Sequence, residues 1–297
     1  MHFDADSLGV SSTSTRLLRD VVHEQLGLFY DDTRLDQLAD RLAPLAVQRG
    51  FNSLLDYYYL LKYDEQAAAE WPRVMDALAV SETYFWREID QIRAVVGEVL
   101  PGLVRDLSGA PLQIWSVPCA TGEEPLTIAM VLNEAGWFSR APIRIIGSDA
   151  SPAAIEKARR GRYRERSFRN LDARLRERYF TKTDEGEWEA ADELRSRVTW
   201  DIVNLQHGPD VARWGRSPIV FCRNVFIYFS ETSIRRTVEV LADLMPSPGY
   251  LCIGASESLL RITRRFELRE VGGAFVYERA GAGHGRAEVP AGRYGAA

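Results

Sequence analysis

Residues 115–125 read WSVPCATGEEP, in which an apolar run that favours a β-strand leads into a tight turn and then into a helix start. Gly122 in the turn has no side chain, so the backbone can approach a ligand closely. Pro125 suits the first turn of the helix, where the leading N–H groups remain free. The stretch therefore predicts the first strand–turn–helix unit of a nucleotide-type site in an α/β sheet.

The charges of this turn indicate the class of ligand. A dinucleotide site would use several glycines to hold a pyrophosphate. This turn has one glycine and two carboxylates, Glu123 and Glu124, which would repel phosphate. Carboxylates suit a cation, and S-adenosylmethionine carries a sulfonium and an ammonium group. The alternative is that the two acids only stabilise the helix start through its dipole.

A second apolar strand, residues 145–149, ends in Asp149, which lies 27 residues beyond Gly122. In a Rossmann-like fold, an acid at this position accepts hydrogen bonds from the ribose hydroxyls of a nucleoside. The alternative is that Asp149 only caps the helix that begins at Ser151-Pro152. The spacing between Gly122 and Asp149 favours the ribose-binding role.

A third apolar run, residues 219–229, is interrupted by Arg223 and Asn224. Polar groups in an apolar setting need partners. The end of a parallel strand would place both side chains at the carboxyl edge of the sheet, where the ligand is expected. For Arg223, a structural ion pair with the Glu123-Glu124 turn remains open.

Short β-rich segments alternate with helical ones from about residue 112 onward. The alternation predicts βαβ units and a mostly parallel sheet, which together form a Rossmann-like α/β domain over residues 112–280. Residues 162–200 break the alternation and predict a small antiparallel β-insertion, to which Val198-Thr199-Trp200 is assigned. The expected strands are 113–117, 143–147, 219–222, 250–253 and 274–278, and the expected helices are 125–135, 151–160, 231–245 and about 258–266.

The first 80 residues have apolar positions at helical spacing and predict an all-helical N-terminal domain. Its fourth helix, residues 65–79, is expected to be interrupted at Trp71-Pro72, because proline disfavours a helix interior. Residues 81–111 are interpreted as a junction with a linker helix, and residues 281–297, rich in Gly and Ala, as a flexible tail. At the junction, Thr83 and Arg87 would share a helix face, although the surrounding aromatic cluster is also consistent with packing alone.

The composition limits the possible functions. The chain has 297 residues and a formal net charge of −5, which argues against nucleic acid as a partner. Three cysteines without paired spacing indicate buried thiols in a reducing compartment. Four scattered histidines lack the spacing of a metal site. With no signal-peptide pattern and no apolar run of roughly 20 residues, a cytoplasmic protein without membrane insertion is expected.

Taken together, these segments resemble the CheR-type chemotaxis methyltransferases. The resemblance covers roughly residues 15–280 in the family's order. It rests on SETYFWRE at 81–88, WSVPCATGEEP at 115–125, the strand that ends in Asp149, FCRNVFIYF at 221–229 and GYLCIGASESL at 249–259. Ser81 stands where the family often has asparagine, which implies a weaker cofactor hydrogen bond, and Trp86 replaces a phenylalanine.

The resemblance implies S-adenosyl-L-methionine as the cofactor, S-adenosyl-L-homocysteine as its product and no metal. Arg87 and Tyr228 are the implied catalytic residues, which would position the acceptor. The implied cofactor-binding residues are Ser81, Thr83, Arg87, Gly122, Glu123, Glu124, Asp149, Asn204, Leu205, Arg223 and Asn224.

The resemblance further implies esterification of glutamate side chains on the methylation helices of chemoreceptor cytoplasmic domains (methyl-accepting chemotaxis proteins), in chemosensory adaptation. A carboxylate is already ionised at neutral pH, so methyl transfer to it needs alignment and no general base. The β-insertion lacks the Gly-containing loop with which some family members bind a receptor's C-terminal peptide, so a peptide-independent enzyme is predicted. Two alternatives are a methyltransferase for another acceptor and a CheR-like non-catalytic docking module that binds the cofactor.

Positive charge is concentrated at residues 156–182, which hold eleven Lys and Arg against four Asp and Glu. One interpretation is a surface that faces an acidic receptor. The other is a solvated face with no partner.

Overall fold

The computed structural model describes residues 12–107 and 109–281, and the first part of this chain is a bundle of four helices. The helices are α1 Ser12–Leu26, α2 Leu35–Gln48, α3 Leu54–Tyr63 and α4 Ala67–Leu78. Leu18, Leu42 and Tyr57 from three of them are fully buried in one apolar cluster. This is the burial that helical spacing of apolar residues predicts.

Helix α4 is continuous through Pro72, so the predicted interruption at Trp71-Pro72 is wrong. Proline removes one backbone hydrogen bond from the helix. On the same helix, Val74 and Leu78 are almost fully buried in the bundle. Burial of such side chains contributes roughly 1.5–3 kcal/mol each, which outweighs one lost hydrogen bond.

The fully buried Glu70 of α4 joins three parts of the bundle. Its carboxylate accepts hydrogen bonds from Arg49 Nε (2.7 Å), Arg73 Nη1 (2.9 Å) and the Tyr57 hydroxyl (2.9 Å). Burial raises the pKa of Glu70, but these hydrogen bonds outweigh burial and hold the pKa below its usual value. The ionised carboxylate is therefore the form that the fold stabilises.

We expect Glu70→Gln to lower the free energy of unfolding by about 2 kcal/mol at pH 7, because it leaves buried donors without an anionic acceptor. Since the folded-state pKa of Glu70 is lowered, its contribution is present above the unfolded pKa of about 4.3 and is lost as the pH falls through the folded value. Urea denaturation of both proteins between neutral and acidic pH measures this. The exposed Glu65→Gln is the control. A Glu70→Gln effect that stays constant down to acidic pH would contradict the assignment.

Over residues 109–281, the structure has ten strands in two sheets. The strands are β1 Leu112–Ser116, β2 Ile143–Asp149, β3 Arg162–Tyr163, β4 Phe180–Lys182, β5 Trp188–Ala190, β6 Val198–Ile202, β7 Ile219–Phe221, β8 Tyr250–Cys252, β9 Phe266–Val271 and β10 Ala274–Arg279. The large sheet has the order β6-β2-β1-β7-β8-β10-β9, in which β10 is antiparallel to both its neighbours and the other pairs are parallel. The small sheet, β3-β5-β4, is antiparallel. The predicted Rossmann-like α/β class with an antiparallel insertion is confirmed.

Helices cover the faces of the large sheet, as expected for parallel strands joined by crossovers. A linker helix of three segments, α5 Ile89–Ala94, the π-helical turn Val95–Val99 and α6 Leu100–Arg105, precedes the first strand. The others are α7 Glu123–Glu134, α8 Pro152–Arg160, α9 Ala173–Tyr179, α10 Asp192–Arg195, α11 Gly208–Trp214 and α12 Glu231–Leu244. Within the described ranges, no helix has the length and hydropathy that crossing a membrane requires.

Two of the predicted secondary-structure assignments in the α/β domain are wrong. Val198-Thr199-Trp200 was assigned to the insertion, but it belongs to β6, which pairs in parallel with β2 at the edge of the large sheet. Residues 258–266 were expected to be helical, but they form turns that lead into β9. Leu259 is buried there while Leu260 is 63% exposed, so the segment has no continuous apolar helix face to bury.

Candidate functional site

A cleft that is partly open to solvent lies between the helical bundle and the carboxyl ends of the parallel strands. Ten of the predicted site residues line it: Ser81, Thr83, Arg87, Glu124, Asp149, Asn204, Leu205, Arg223, Asn224 and Tyr228. These residues come from the junction and from the segments that follow β1, β2, β6 and β7.

Asp149, at the end of β2, is held by both neighbouring turns. Its Oδ2 accepts a hydrogen bond from the Ala120 N–H (2.9 Å) and its Oδ1 from the Ser151 N–H (2.9 Å). Burial raises the pKa of this carboxyl, and the backbone hydrogen bonds oppose the rise. Helix α8 is capped by the Ser151 hydroxyl, which accepts from the Ala154 N–H (3.0 Å). Each Asp149 oxygen keeps a further lone pair with which it can accept a ligand hydroxyl.

Glu124 and Arg223 form a buried ion pair at the floor of the cleft. The Arg223 Nε lies 2.7 Å from Glu124 Oε2, and their side chains are 1% and 12% exposed. The other oxygen of Glu124 accepts a hydrogen bond from the Ser116 hydroxyl (2.7 Å). The structural ion pair that remained open for Arg223 is thus present, with Glu124 rather than Glu123 as its partner.

Arg223 also binds the backbone of the junction. Its Nη2 donates to the carbonyl of Arg87 (2.7 Å) and its Nη1 to the carbonyl of Glu88 (3.2 Å). The guanidinium therefore joins the end of β7, the turn after β1 and the junction around one buried charge.

Residues 81–88, the first part of the junction, are not helical and end in a turn at 85–88. The prediction that Thr83 and Arg87 share a helix face is therefore wrong. Trp86 (φ 69°) and Glu88 (φ 48°) adopt left-handed backbone conformations, which a helix does not permit. The fully buried Phe85 anchors the turn, and its N–H donates to the carbonyl of Ser167 (2.8 Å). Thr83 and Arg87 still face the cleft because this turn wraps around its edge.

The Arg87 guanidinium is only partly occupied by protein partners. Its Nη1 donates to the carbonyl of Glu82 (2.9 Å), and its Cζ lies 5.6 Å from the centre of the Tyr84 ring. The side chain is 25% exposed, and its Nε lies 4.0 Å from Glu88 Oε1. An arginine has five N–H donors, so donors remain for an anionic group in the cleft.

Gly122 and Glu123 do not line the cleft: Gly122 packs against Trp200 of β6 and Tyr163 of the insertion, and Glu123 binds Ser167 of the insertion. A Cβ on Gly122 (φ 96°) would lie 2.8 Å from Trp200 Cη2 and 3.1 Å from Tyr163 Oη, so glycine is needed for packing on that side. The Glu123 carboxylate is buried and accepts from the hydroxyls of Thr121 (2.7 Å) and Ser167 (3.0 Å). Burial raises the pKa of Glu123.

The segment after β6 connects the cleft to the helical bundle. The Asn204 Nδ2 donates to the carbonyl of Gln25 at the end of α1 (2.8 Å), and its Oδ1 accepts from the Gln206 N–H (2.9 Å). Leu205 is buried beside it. The Asn204 side chain thus ties α1 to the sheet, and Leu205 presents an apolar surface to the cleft.

The wall contributed by the helical bundle was missed from the sequence. Its residues share no motif, and the only local signal is an apolar triplet, Leu28-Phe29-Tyr30, outside a helix. The Phe29 N–H donates to the carbonyl of Tyr228 (2.8 Å), which brings this triplet to the cleft. The bundle residues of the wall are Leu26, Leu28, Phe29, Tyr30, Arg34, Gln37, Arg41, Met75 and Leu78.

Two family models match the chain. The model described as "CheR methyltransferase, SAM binding domain" matches residues 81–274. The model described as "CheR methyltransferase, all-alpha domain" matches residues 14–79.

Curated relatives match over most of the chain. It is 32% identical over 262 residues to "Chemotaxis protein methyltransferase 2" of Vibrio cholerae, which covers 88% of the chain and 90% of that protein. It is 29% identical over 267 residues to "Chemotaxis protein methyltransferase" of Escherichia coli (89% and 91%). It is 33% identical over 260 residues to "Probable biofilm formation methyltransferase WspC" of Pseudomonas putida, and spans 60% of that protein's length.

Proposed function

Because the chain belongs to the CheR methyltransferase family, whose catalytic domain binds S-adenosylmethionine, we propose that it methylates glutamate side chains on the cytoplasmic domains of chemoreceptors. The observation that carries this proposal is that one cleft is lined both by two largely buried carboxylates and by an arginine with donors to spare. Asp149 and Glu124 suit a cationic nucleoside, and Arg87 suits an anionic acceptor. The proposed product is a glutamate methyl ester.

The cleft fits S-adenosyl-L-methionine by its donor and acceptor set. The Asp149 oxygens have lone pairs for the two ribose hydroxyls. Glu124, 12% exposed, is the proposed acceptor for the ammonium group, and its pairing with Arg223 fixes its orientation. The buried Leu205 offers an apolar surface to the adenine. Bound there, the cofactor supplies an electrophilic methyl group.

The residues of the chain act by positioning. A glutamate carboxylate is ionised at neutral pH, so no residue has to remove a proton from it. Arg87 and Tyr228 are proposed to orient the carboxylate so that one oxygen lies in line with the methyl group. The Arg87 Nε lies 4.0 Å from Glu88 Oε1, so part of its charge is already balanced and it holds the acceptor without neutralising it fully. This is favourable, because the reaction cancels charge and a tightly paired ground state would slow it.

Recognition of the receptor is proposed to be independent of a C-terminal peptide. The loop between β4 and β5 is a short turn in which the Thr183 N–H donates to the carbonyl of Glu187 (2.8 Å). The positively charged segment at residues 156–182 does not favour receptor docking either, because six of its arginines form ion pairs with acids of this chain. The pairs are Arg162–Glu189, Arg164–Glu187, Arg169–Glu82, Arg174–Glu134, Arg176–Glu165 and Arg178–Glu134.

Labelling with methyl-labelled S-adenosylmethionine and a chemoreceptor cytoplasmic fragment tests the proposed function. Label should enter the receptor and leave as methanol in mild alkali, as a methyl ester does. Arg87→Ala should lower kcat about 100-fold, because alignment of the acceptor is lost. The exposed Arg236→Ala is the matched control.

The alternatives predict different outcomes of the same experiment. Label that is stable to alkali would mean another acceptor atom. Cofactor binding in a calorimeter without any transfer would support a non-catalytic docking module.

A further inference from the structure

The turn after β8 contains a carboxylate whose role the motifs left unassigned, Glu257. Its Oε2 accepts hydrogen bonds from the Gly254 N–H (2.6 Å) and the Asn224 N–H (2.8 Å). Its Oε1 accepts from the Phe226 N–H (2.7 Å). One carboxylate therefore joins the turn after β8 to the segment that follows β7.

The segment after β7 needs such support. Asn224 has φ 59°, in the left-handed region that a non-glycine residue adopts at a cost. The N–H groups of Asn224 and Phe226, on either side of Val225, are both bound by Glu257. The carboxylate thus holds the backbone on both sides of Val225 in one conformation.

The turn after β8, which contains both Gly254 and Glu257, leaves room for this carboxylate. The Glu257 N–H donates to the carbonyl of Gly254 (2.9 Å), so the side chain folds back over its own turn. A Cβ on Gly254 would lie 2.9 Å from Glu257 Oε2 and 3.0 Å from the Asn224 nitrogen. Glycine at this position therefore leaves room for the two segments to meet.

Tyr228 lines the cleft together with Asn224 and Val225 of the same segment. It ends the short helical turn Phe226–Tyr228, whose first N–H is bound by Glu257. Its carbonyl accepts from the Phe29 N–H of the bundle wall (2.8 Å). The segment is thus fixed at its start by Glu257 and at its end by the bundle.

We propose that Glu257 is a positioning residue for methyl transfer, which fixes the segment 224–228 so that the Tyr228 side chain reaches the acceptor carboxylate. This inference rests on the proposed function, in which Tyr228 orients the acceptor. Glu257 acts through Tyr228 and does not touch the reacting atoms.

This role requires a side chain whose two polar atoms both accept hydrogen bonds. An ionised carboxylate offers only acceptor lone pairs, and here it faces three N–H donors. A glutamine of the same shape has an NH₂ group in place of one oxygen, which would point at least one N–H towards another N–H. Glu257→Gln should therefore displace the segment with little change in volume.

Kinetics of the full-length protein test the coupling to Tyr228. Glu257→Gln should lower kcat for receptor methylation by about 10-fold to 100-fold, as small misplacements in active sites do. The calorimetric Kd for S-adenosylmethionine should rise by a smaller factor than kcat falls, because the hydrogen bonds described for Glu257 go to the backbone at Asn224 and Phe226 and not to Asp149 or Glu124. In a Tyr228→Phe background, Glu257→Gln should reduce kcat less than about 2-fold further, because the two residues act as a unit. Glu239→Gln, on α12, is the matched control and should keep the activity of the unmodified protein.

A readout without catalysis separates this inference from the proposed function. With 3-fluorotyrosine incorporated, the fluorine resonance missing from Tyr228→Phe identifies Tyr228. Glu257→Gln should shift that resonance and leave the resonance of Tyr57, buried in the bundle, unchanged. An unmoved Tyr228 resonance, or equal kcat losses in both backgrounds, would overturn the proposal. A shifted resonance in a protein that methylates no receptor would support the positioning by Glu257 and reject the proposed function alone.

Discussion

Arg223→Met should lower the free energy of unfolding by about 4 kcal/mol, because it removes one partner of a buried ion pair. The Arg223 side chain is 1% exposed, and it binds Glu124 at 2.7 Å. Methionine fills a similar space but leaves the Glu124 carboxylate buried without its cation. The same substitution frees the carbonyls of Arg87 and Glu88, so the junction should lose its attachment to β7.

Thermal unfolding and calorimetry together measure the effect of Arg223→Met. The expected loss corresponds to a decrease in Tm of roughly 10 °C, and S-adenosylmethionine should bind more weakly because the junction and Glu124 both border the cleft. Arg235→Met is the matched control, since Arg235 is 47% exposed and pairs with Glu231 on the helix surface. Adding Glu124→Gln to Arg223→Met should restore part of the Tm by removing the unpaired charge. If Arg223→Met cost no more than Arg235→Met, the buried pair would not stabilise the fold.

The edge of the sheet that carries the site follows from the sequence because parallel strands end on the same side. The apolar runs before Asp149 and Arg223 have the length and composition of buried strands. Their ends, together with the Gly122 turn, could be placed at one edge without any knowledge of distant contacts. At these positions the spacing along the chain was sufficient to predict the site, because the strands and the turn follow from local sequence patterns.

The sequence pattern of the turn before α7 does not show which of its two acids faces the ligand, because this depends on how the helix is rotated. Glu123 and Glu124 are adjacent at the start of α7, so their side chains point about 100° apart. Which of them faces the cleft depends on the rotation of α7, which is set by the packing of Leu126 and Ile128 in the core. The sequence therefore predicted acids at the turn but not that only Glu124 reaches the ligand side.

The roles of Glu257 and Phe29 could not be predicted from the sequence, because both depend on contacts between segments that are far apart in the chain. Glu257 binds the backbone of Asn224, 33 residues earlier in the chain, and Phe29 binds that of Tyr228. No periodicity encodes such pairs. The mistaken helix at 258–266 has a local origin instead, because Leu259 is buried while Leu260 is exposed, and of this segment only Phe266 pairs in β9.

Asp149→Asn should weaken S-adenosylmethionine binding by about 100-fold, the equivalent of losing one or two hydrogen bonds to a charged acceptor. Both oxygens of Asp149 already accept backbone N–H groups, from Ala120 and Ser151. An asparagine must therefore turn its NH₂ group towards one of these donors, so it loses an acceptor and also disturbs a turn. Calorimetry measures the affinity, and Asp243→Asn, on an exposed pair with Arg265, is the matched control. Equal affinities of Asp149→Asn and the unmodified protein would remove Asp149 from the cofactor site.

The pH dependence of the affinity tests the same residue without a change in shape. Burial raises the pKa of Asp149 above its ordinary value of about 3.9, and the ionised form is the one with lone pairs for both ribose hydroxyls. Affinity should therefore be full above the raised pKa and fall as the pH decreases through it, because a protonated Asp149 must first release its proton. In Asp149→Asn, which cannot titrate at this position, that decrease should disappear. A decrease of the same size in both proteins would assign the titration to another group in the cleft.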